Sequence, residues 1–434
     1  MKSKPAKKKI KIGRDLKKFG QPLDYPYLLG VYMAVNAVPG TAILIDGPDC
    51  AVGKAEHLFG KHDGRSTLLD CSGLNRVECT FTDARNTAHS REAAVRKGLL
   101  ALAARDDVRA VLLSSLPMTF VTGTDYRRIL RGAVERTSKP LYFVSPRSLQ
   151  GGYLDGFAAA QQSLAEGISR PRRRPARDKA ALVGYLMDRG EEDHRANLQE
   201  LRRLLGALGV DVVSAWFDGS PYAELDAIGR AGTIISLPYG RRAARAAAKR
   251  TGAEVLELGL PVGIDGTRRW LEKAGAFFGG AKKARRFIES ELRAVVPRLE
   301  WVVPHSFLHK RFWISADPHM LAALTALVEE FGGRVVGGAV VGSGVPSAKL
   351  LVRPTSGALA ESLGRACAAG VDLVIGGSDV IKHVPRGVPA IELGFPSYFT
   401  HALHASPTMG FAGSLALMDR MANAMSAAAS PRGE

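Results

Sequence analysis

Short apolar runs alternate with amphipathic segments along most of this chain. The apolar runs have the length and composition of buried strands, and they lie at residues 41–46, 110–115, 140–145, 181–188, 211–217, 233–239, 311–318, 334–341 and 371–377. Between them, segments 91–105, 196–210 and 319–333 are predicted helices. Strands that alternate with helices predict a parallel sheet covered on both faces, which is the α/β class.

The same order of elements repeats, which divides the chain into three units. The units that begin near residues 181 and 311 open alike, with a strand, an Asp-bearing turn, a helix ending in Gly, and a strand. We therefore predict three Rossmann-like, doubly wound domains with parallel sheets, whose ligands collect at the carboxyl ends of the strands. The predicted divisions are a basic flexible tail at 1–20, domain I at 21–168, an Arg/Pro-rich linker at 169–179, domain II at 180–300, and domain III with a C-terminal helix at 301–434.

Length and composition agree with a multidomain globular protein. The 434 residues exceed what a single hydrophobic core usually organises, and the 46% hydrophobic content is ordinary for globular chains. No apolar run reaches the roughly 18 residues that span a bilayer. The basic N-terminus lacks the apolar stretch of a secretory signal. We expect a cytoplasmic protein without a membrane partner.

The formal net charge of +18 raises the question of an acidic partner. Much of the excess lies in the N-terminal Lys run and in residues 169–179. A solvated tail and linker account for it most simply, contact with an acidic protein is the next interpretation, and nucleic acid is the least favoured. No RNP motif, zinc finger or aromatic-interleaved basic strand supports nucleic-acid binding.

One loop combines a strand end with a cysteine. Residues 42–55 read AILIDGPDCAVGKA, which is close to a phosphate-binding P-loop. Counting back from Lys54 places Pro48, which has no N–H, where the first Gly of that motif belongs, and Ala55 replaces the hydroxyl that would bind Mg²⁺. Two interpretations remain: a strand–turn–helix with a buried thiol, or a Cys50 thiolate held at a helix N-terminus where metal ligation is favoured.

Longer blocks of sequence resemble the nitrogenase component 1-like oxidoreductases. This family includes nitrogenase subunits, cofactor-assembly scaffolds, and light-independent protochlorophyllide and chlorophyllide reductase subunits. The resemblance is carried by the order of residues 30–60, 77–99, 111–125, 140–157 and 387–425, the last containing SPTMGFAG at 406–413. It implies three Rossmann-like domains, in agreement with the periodicity.

The resemblance also implies a cluster ligand, with informative departures. One class of family subunit carries three cluster cysteines, and the first and third positions fall here near residues 24–25 and at Leu116 or Pro117. Only Cys50, in the Gly47–Pro48 turn, is retained, so the chain resembles the single-ligand, B-type class. A [4Fe–4S] cluster shared with a partner subunit is thus implied, because four anionic ligands can divide three and one across an interface.

Further thiols belong to the same question. Cys71 and Cys79 are possible additional ligands, although each is more simply a packed thiol. Cys367, in a helix-like RACAAG stretch, is predicted to be core. Absence of any CxxC spacing argues against a zinc ribbon or a disulfide scaffold.

The resemblance implies a subunit of a nitrogenase-like reductase complex. Its expected partners are a homologous three-cysteine subunit, in a heterodimer or heterotetramer, and an ATP-dependent homodimeric iron–sulfur reductase; this chain itself would bind no ATP. The substrate would be tetrapyrrole-like, a metallocluster or another small molecule. Two alternatives stay open: a non-catalytic scaffold or cluster-free relative, and a sugar-nucleotide glycosyltransferase or epimerase, suggested by GVPAIELG and GGSD.

Several polar residues near strand ends are further candidates. His401 and His404 lie on one face if their stretch is helical, and could line a substrate cavity or supply protons. Asp188 and Asp317 occupy matching positions of two units, and we expect each to cap the following helix. Residues 376–379 (GGSD) and 394–397 (GFPS) offer backbone amides to a carboxylate or phosphate, or form tight turns. No Ser-His-Asp order or HExxH motif supports hydrolysis.

Overall fold

Three parallel sheets, each flanked by helices, follow one another along the chain. The computed structural model describes residues 25–83, 90–146, 151–171, 175–342, 351–352 and 356–429. The predicted basic tail and part of the predicted linker lie outside the described residues, and the domain divisions stay a prediction. The architecture itself confirms the predicted fold of three α/β units.

The first sheet has the strand order β2-β1-β3-β4. Its two central strands are fully buried: β1 and β3 each have six buried residues in a row. This is expected for a parallel sheet covered on both faces. The strands are β1 (Thr41–Asp46), β2 (Val77–Cys79), β3 (Ala110–Ser115) and β4 (Leu141–Phe143). The helices of this part are α1 (Tyr27–Asn36), α2 (Cys50–Gly53), α3 (Glu92–Ala104), α4 (Pro117–Phe120), α5 (Tyr126–Val134) and α6 (Tyr153–Glu166).

The second sheet has the order β6-β5-β7-β8. Its strands are β5 (Lys179–Val183), β6 (Asp211–Ala215), β7 (Thr233–Ser236) and β8 (Glu254–Glu257). They are accompanied by α7 (Glu192–Ala207), α8 (Arg241–Thr251), α9 (Ile264–Phe277), α10 (Ala281–Leu299) and α11 (Val303–Ser306). Helix α6 packs against both α1 and α8, so it joins the first unit to the second.

The third sheet has the order β11-β10-β9-β12-β13. Its strands are β9 (Arg311–Ala316), β10 (Arg334–Val340), β11 (Leu351–Val352), β12 (Leu373–Gly376) and β13 (Ala390–Glu392). The helices are α12 (Pro318–Glu330), α13 (Ser356–Ala368), α14 (Ser378–Ile381) and α15 (Gly410–Ala429). The terminal helix α15 contacts α7 and α9 as well as β13, and so fixes the third unit to the second. None of the helices described is long and apolar enough to cross a membrane.

Candidate functional site

The predicted cofactor-binding turn lies at the carboxyl edge of the first sheet. Gly47 and Pro48 follow β1 directly, and Cys50 begins the short helix α2 with its side chain exposed. The Tyr32 hydroxyl donates to the carbonyl oxygen of Ala51 at 2.9 Å, which ties the turn to α1. Of the two interpretations of this turn, the buried thiol is therefore wrong, and Cys50 is accessible to a ligand or a partner.

A buried ion pair at the end of β1 holds the Gly47–Pro48 turn in place. Asp46, the last residue of β1, is fully buried, and its Oδ1 lies 3.0 Å from Nη2 of Arg91. The Tyr126 hydroxyl donates to the second carboxylate oxygen at 2.8 Å. Thr80 donates to Asp46 Oδ1 at 2.7 Å and accepts from the Gly47 amide at 3.1 Å. The turn is thus attached to a paired charge in the core, which fixes its position relative to the sheet.

Gly47 lies in close contact with the neighbouring strand end. A Cβ at this position would lie 2.7 Å from Cδ1 of Leu116, so the Leu116 side chain would have to shift. Leu116 follows β3 and is, with Pro117, one of the two residues that the resemblance places at the third cysteine position. The structure therefore brings the Gly47–Pro48 turn against the end of β3, where an apolar side chain fills the contact.

Exposed apolar side chains lie at the same edge as Cys50. Phe81 follows β2, while Met118, Phe120 and Val121 follow β3, and Phe81 and Val121 are 66% and 71% exposed. Phe81 also adopts a φ of 51°, which is unfavourable for a bulky side chain. We call Cys50 and these four residues the Cys50 edge. An apolar patch beside an accessible thiol is typical of a surface that another protein covers.

The other three thiols are placed differently. Cys79 ends β2 near Cys50, but it is buried, and this burial raises the pKa of its thiol. Cys71 is exposed in the loop that precedes β2, at the amino end of the strand and away from the Cys50 edge. Cys367, predicted to be core, is only half-buried on α13. Cys50 is thus the one exposed thiol that the described residues place at this edge.

A cavity of about 520 Å³ lies where the three units meet. The second and third sheets direct strand ends toward it: Asp188 follows β5, Tyr239 follows β7, and Asp317 follows β9. His62 enters from the first unit. This central cavity has the location expected for a ligand site in parallel α/β sheets.

Asp188 lies in the wall of the central cavity between two imidazoles. Its Oδ1 is 2.7 Å from His194 Nε2, and its Oδ2 is 3.6 Å from His62 Nε2. Burial disfavours the ionised carboxyl, but His194 and His62 outweigh this effect and hold the pKa of Asp188 well below its usual value. His62 Nδ1 accepts from the backbone amide of Ser397 at 2.9 Å, which orients that ring.

A second acid–imidazole pair lies toward the cavity mouth. His401 Nδ1 is 2.6 Å from Glu191 Oε1, and the other oxygen of Glu191 accepts from the Ala402 amide at 2.7 Å. Arg189 lies 3.3 Å from Glu191 and 2.6 Å from Asp193. The His401 side chain is 43% exposed, so this pair connects the buried groups with solvent.

His401 and His404 belong to an irregular segment, residues 397–409, that crosses the cavity as a strap. The stretch is not helical, so the predicted common helical face does not form, but both histidines line the central cavity. Within the strap, the Ala402 amide is fixed on Glu191 and the Thr408 amide on Asn197 Oδ1, each at 2.7 Å. Whether either histidine acts in chemistry stays a prediction.

Of the two aspartates predicted to cap helices, one does so and the other does not. Asp317 caps α12 by accepting from the amides of His319 and Met320, at 2.9 and 3.2 Å, as predicted. Asp188 does not cap α7, whose preceding residue is Glu191, because the Asp188 carboxylate is engaged by the two histidines.

The proposed anion-binding turns bind a carboxylate of the chain itself. The Ser378 hydroxyl and the Tyr398 amide both donate to Glu392 Oε1, and the Phe399 amide donates to Oε2 at 3.1 Å. The Ser378 hydroxyl in the first turn and the two amides that follow the second turn are therefore occupied by Glu392 at the end of β13.

The residues that sequence reasoning missed come mostly from one segment. Tyr185, Glu191, Asp193, His194 and Asn197 lie immediately after β5 or in the first turns of α7. The run DRGEEDH at 188–194 was a usable signal, since titratable residues were concentrated at a predicted strand end. His62, far away in sequence, offered no such signal. The residues described contain no group of three or more His, Cys, Asp and Glu side chains that could hold a metal ion.

Comparison with known proteins gives one consistent result. Residues 27–426 match the family model of nitrogenase component 1 type oxidoreductases. The nitrogenase molybdenum–iron protein beta chain of Frankia alni is 24% identical over 91% of this chain and 80% of its own length. The B-type subunit of the light-independent protochlorophyllide reductase of Rhodopseudomonas palustris is 30% identical over 41% of this chain and 33% of its own length.

A third relative and a solved structure agree with these matches. The nitrogenase iron-molybdenum cofactor biosynthesis protein NifN of a Nostoc species is 23% identical over 49% of this chain and 47% of its own length. The structure of nitrogenase Cp1 at pH 6.5 superposes with a TM-score of 0.78 at 13% identity, covering 98% of this chain and 95% of that one. Matches of this extent argue against the sugar-nucleotide alternative.

Proposed function

The chain belongs to the nitrogenase component 1 type oxidoreductase family, and we propose that it is a subunit of a nitrogenase-like reductase complex. In this proposal an ATP-dependent iron–sulfur reductase delivers low-potential electrons, which pass through a [4Fe–4S] cluster shared with a partner subunit. The observation that carries the proposal is the Cys50 edge: an accessible thiol surrounded by exposed apolar side chains at a sheet's carboxyl edge.

This chain offers one of the four ligands that a [4Fe–4S] cluster needs. A [4Fe–4S] cluster is held by four ligands, usually thiolates, and the Cys50 edge offers one accessible thiol. Cys79 is buried and its raised pKa opposes the thiolate form, so it is poorly suited as a second ligand. The three remaining ligands would come from the partner subunit, which agrees with an apolar surface in need of cover.

The supporting residues would hold the ligand rigidly. When bound, the cluster supplies one-electron transfer. Cys50 would hold one of its irons, and the Asp46–Arg91 pair would keep the preceding turn in place beneath it. Phe81 and Val121, exposed in the single chain, would be buried against the partner and exclude water from the cluster.

The substrate would occupy the central cavity or its mouth. The cavity combines aromatic and apolar walls with paired acids and histidines, which suits a small organic molecule or a metallocluster with polar edges. His401, half exposed on Glu191, and His404 are the proposed groups that exchange protons near the mouth. A reduction consumes protons as well as electrons, so such groups have a direct use.

The test is the iron content of the complex. The chain is co-expressed with a candidate three-cysteine subunit of the family and purified anaerobically, and iron and visible absorbance are measured for the wild type, Cys50→Ser and Cys71→Ser. We expect Cys50→Ser to lose the iron and absorbance with its fold intact, since the thiol is exposed. Cys71→Ser is the matched control, an exposed thiol away from the edge, and should retain both.

Two outcomes would count against this assignment. Iron and absorbance that survive Cys50→Ser would show that Cys50 is not a ligand. A colourless, iron-free wild-type complex would eliminate the shared cluster and favour the second candidate, a non-catalytic scaffold or cluster-free member of the family. That second candidate is favoured by the absence of cysteine at the other two positions that the resemblance implies, near residues 24–25 and at Leu116 or Pro117.

A further inference from the structure

The hydroxyl of Tyr185 lies between two partners in the wall of the central cavity. It accepts from Asn197 Nδ2 at 3.0 Å and lies 2.9 Å from His194 Nδ1. The orientation of the Asn197 amide is fixed, because its oxygen accepts from the backbone amides of Thr408 and Met409 at 2.7 and 3.0 Å. The Asn197 nitrogen must therefore be the donor to Tyr185.

The proton on Tyr185 depends on the state of His194. His194 Nε2 lies 2.7 Å from Asp188 Oδ1, and an ionised carboxylate this close favours the neutral tautomer that carries its proton on Nε2. Its Nδ1 then accepts the Tyr185 proton. When His194 is protonated, Nδ1 becomes a donor, and the Tyr185 oxygen accepts from both neighbours. Its own proton must turn away from them. Since Tyr185, His194, Asn197 and Thr408 all line the central cavity, the free direction is toward that space.

We propose that Tyr185 is the proton donor to a ligand in the central cavity, and that His194 switches this donor on and then replenishes it. The inference rests on the proposed function for its electrons, which an iron–sulfur donor supplies. Once the ligand has been reduced, an atom of the ligand forms a bond to the Tyr185 proton as the O–H bond breaks. The Tyr185 oxygen takes the Nδ1 proton of His194, which returns to its neutral form. One proton has then moved from His194 to the ligand.

The charges around His194 favour the protonated form that this step needs. Burial disfavours the imidazolium, but Asp188 and Asp193 outweigh it and raise the pKa of His194 above its ordinary value of 6.5, against the opposing charge of Arg189. His62 faces the same Asp188 from the first unit. Burial raises the pKa of Tyr185 well above 10.0, which disfavours a free tyrosinate and favours proton donation coupled to the transfer from His194.

The switch can be measured on the full chain without a substrate. Nitrogen NMR of labelled histidine, assigned with His194→Gln, reports which ring nitrogen is protonated across the pH range where histidine titrates. Infrared difference spectra of ring-labelled tyrosine report whether a hydroxyl donates or accepts. We expect neutral His194 with its proton on Nε2, and one tyrosine C–O band that shifts at the same midpoint as His194.

Two conservative variants identify the tyrosine. The shifting band should be absent from Tyr185→Phe and present in Tyr239→Phe, because Tyr239 lines the same cavity but donates to Asp317. A neutral His194 with its proton on Nδ1 would overturn the proposal. The proposal would also be overturned by a tyrosine C–O band that does not shift at the His194 midpoint, or by a shifting band that is absent from Tyr239→Phe and present in Tyr185→Phe.

Donation toward the cavity is tested with acetate, a small hydrogen-bond acceptor. Its binding, followed by its effect on the His194 signals, should weaken several-fold as pH rises through the His194 midpoint. Tyr185→Phe should remove that pH dependence and Tyr239→Phe should keep it. Acetate binding that is equal in wild type and Tyr185→Phe at every pH contradicts the donor role. These measurements use no iron, so their failure is distinguishable from the loss of the proposed cluster.

Discussion

The Cys50 edge and the central cavity differ in where their charged and apolar side chains lie. At the Cys50 edge the charges are paired inside, on Asp46 and Arg91, while a thiol and large apolar side chains face solvent. In the central cavity the walls themselves carry the charges, and Asp188 and Glu191 are each paired with an imidazole. In our proposal another protein completes the first region, whereas the second is assembled by one chain from all three units.

This difference indicates a division of labour within one chain. A surface that a second protein covers can share a cofactor, because ligands from two chains meet there. A cavity lined by acid–imidazole pairs can hold a small molecule and exchange protons with it. The two regions can therefore be disabled separately, and the following experiments do so in order of their expected effect on the stability of the free chain.

The largest effect is expected from Asp46→Asn beneath the Cys50 edge. The change leaves the Arg91 guanidinium buried without its carboxylate, and breaking a buried ion pair in this way costs about 3–5 kcal/mol. Urea unfolding of the free chain measures the loss. The control is Asp265→Asn, at a partly exposed pair with Arg268, where about 0–1 kcal/mol is expected. Equal losses in both variants would show that the Asp46 pair is not special.

Gly47→Ala should act on the same edge through packing. The added methyl group would collide with Leu116, and overpacking of this kind typically costs about 1–3 kcal/mol. The second change Leu116→Ala makes room for that methyl group, so the two losses should be less than additive in a double-mutant cycle. Strict additivity in urea unfolding would mean that the contact between the two loops does not constrain the turn.

The pH dependence of stability should isolate the central cavity. Because the pKa of His194 is raised in the folded chain, its stabilising contribution is complete below its ordinary value of 6.5 and is lost as pH rises through the folded pKa. The contribution of Asp188, whose pKa is lowered, is present above 3.8 and is lost as pH falls through its folded pKa. His194→Gln should flatten the alkaline decline, and the exposed His305→Gln should not. The free energy of unfolding at a series of pH values is the measurement, and an unchanged decline in His194→Gln would contradict the pairing.

The smallest effect on the free chain is expected from Val121→Ser. The side chain is 71% exposed, so the free energy of unfolding should change by no more than about 0.5 kcal/mol. Its association with the partner subunit should nevertheless weaken by about tenfold, which corresponds to about 1.4 kcal/mol. Leu403→Ser, equally apolar and 88% exposed on the strap, is the control away from this edge. Titration of the partner subunit, followed by light scattering or calorimetry, compares the affinities of the two variants. Equal affinities of Val121→Ser and Leu403→Ser would show that Val121 does not lie in the interface.

Much of the fold could be predicted because central parallel strands are continuous apolar runs. The predicted strands at 41–46 and 110–115 coincide with β1 and β3. Four strands were missed, namely β2, β8, β11 and β13, and all four lie at sheet edges with two to four residues each. An edge strand is covered less completely, so its sequence shows no long apolar run. The predicted strand at 181–188 ends early, at Val183, because Gly184 turns the chain with a φ of 88°.

Of the two candidate regions, only the Cys50 edge could be predicted, because a single loop contains its thiol. Cys50 could be recognised because strand, turn and thiol are adjacent in sequence, and its exposure then followed from the structure. The central cavity could not be derived in this way, since His62, Asp188 and His401 meet only after three sheets have packed together. His401 and His404 were found from their spacing, although the helix assumed for them does not form.

The strap over the central cavity contains a short stretch between two of its attachments. Ala402 is hydrogen-bonded to Glu191 and Thr408 to Asn197, while Leu403 and His404 between these points are exposed. Substitutions at 403–407 can therefore alter the mouth of the cavity without disturbing either attachment or the sheets below. Loops of this kind diverge faster than the elements they connect. These five positions are therefore where the proposed substrate site can change with the fewest other changes in the chain.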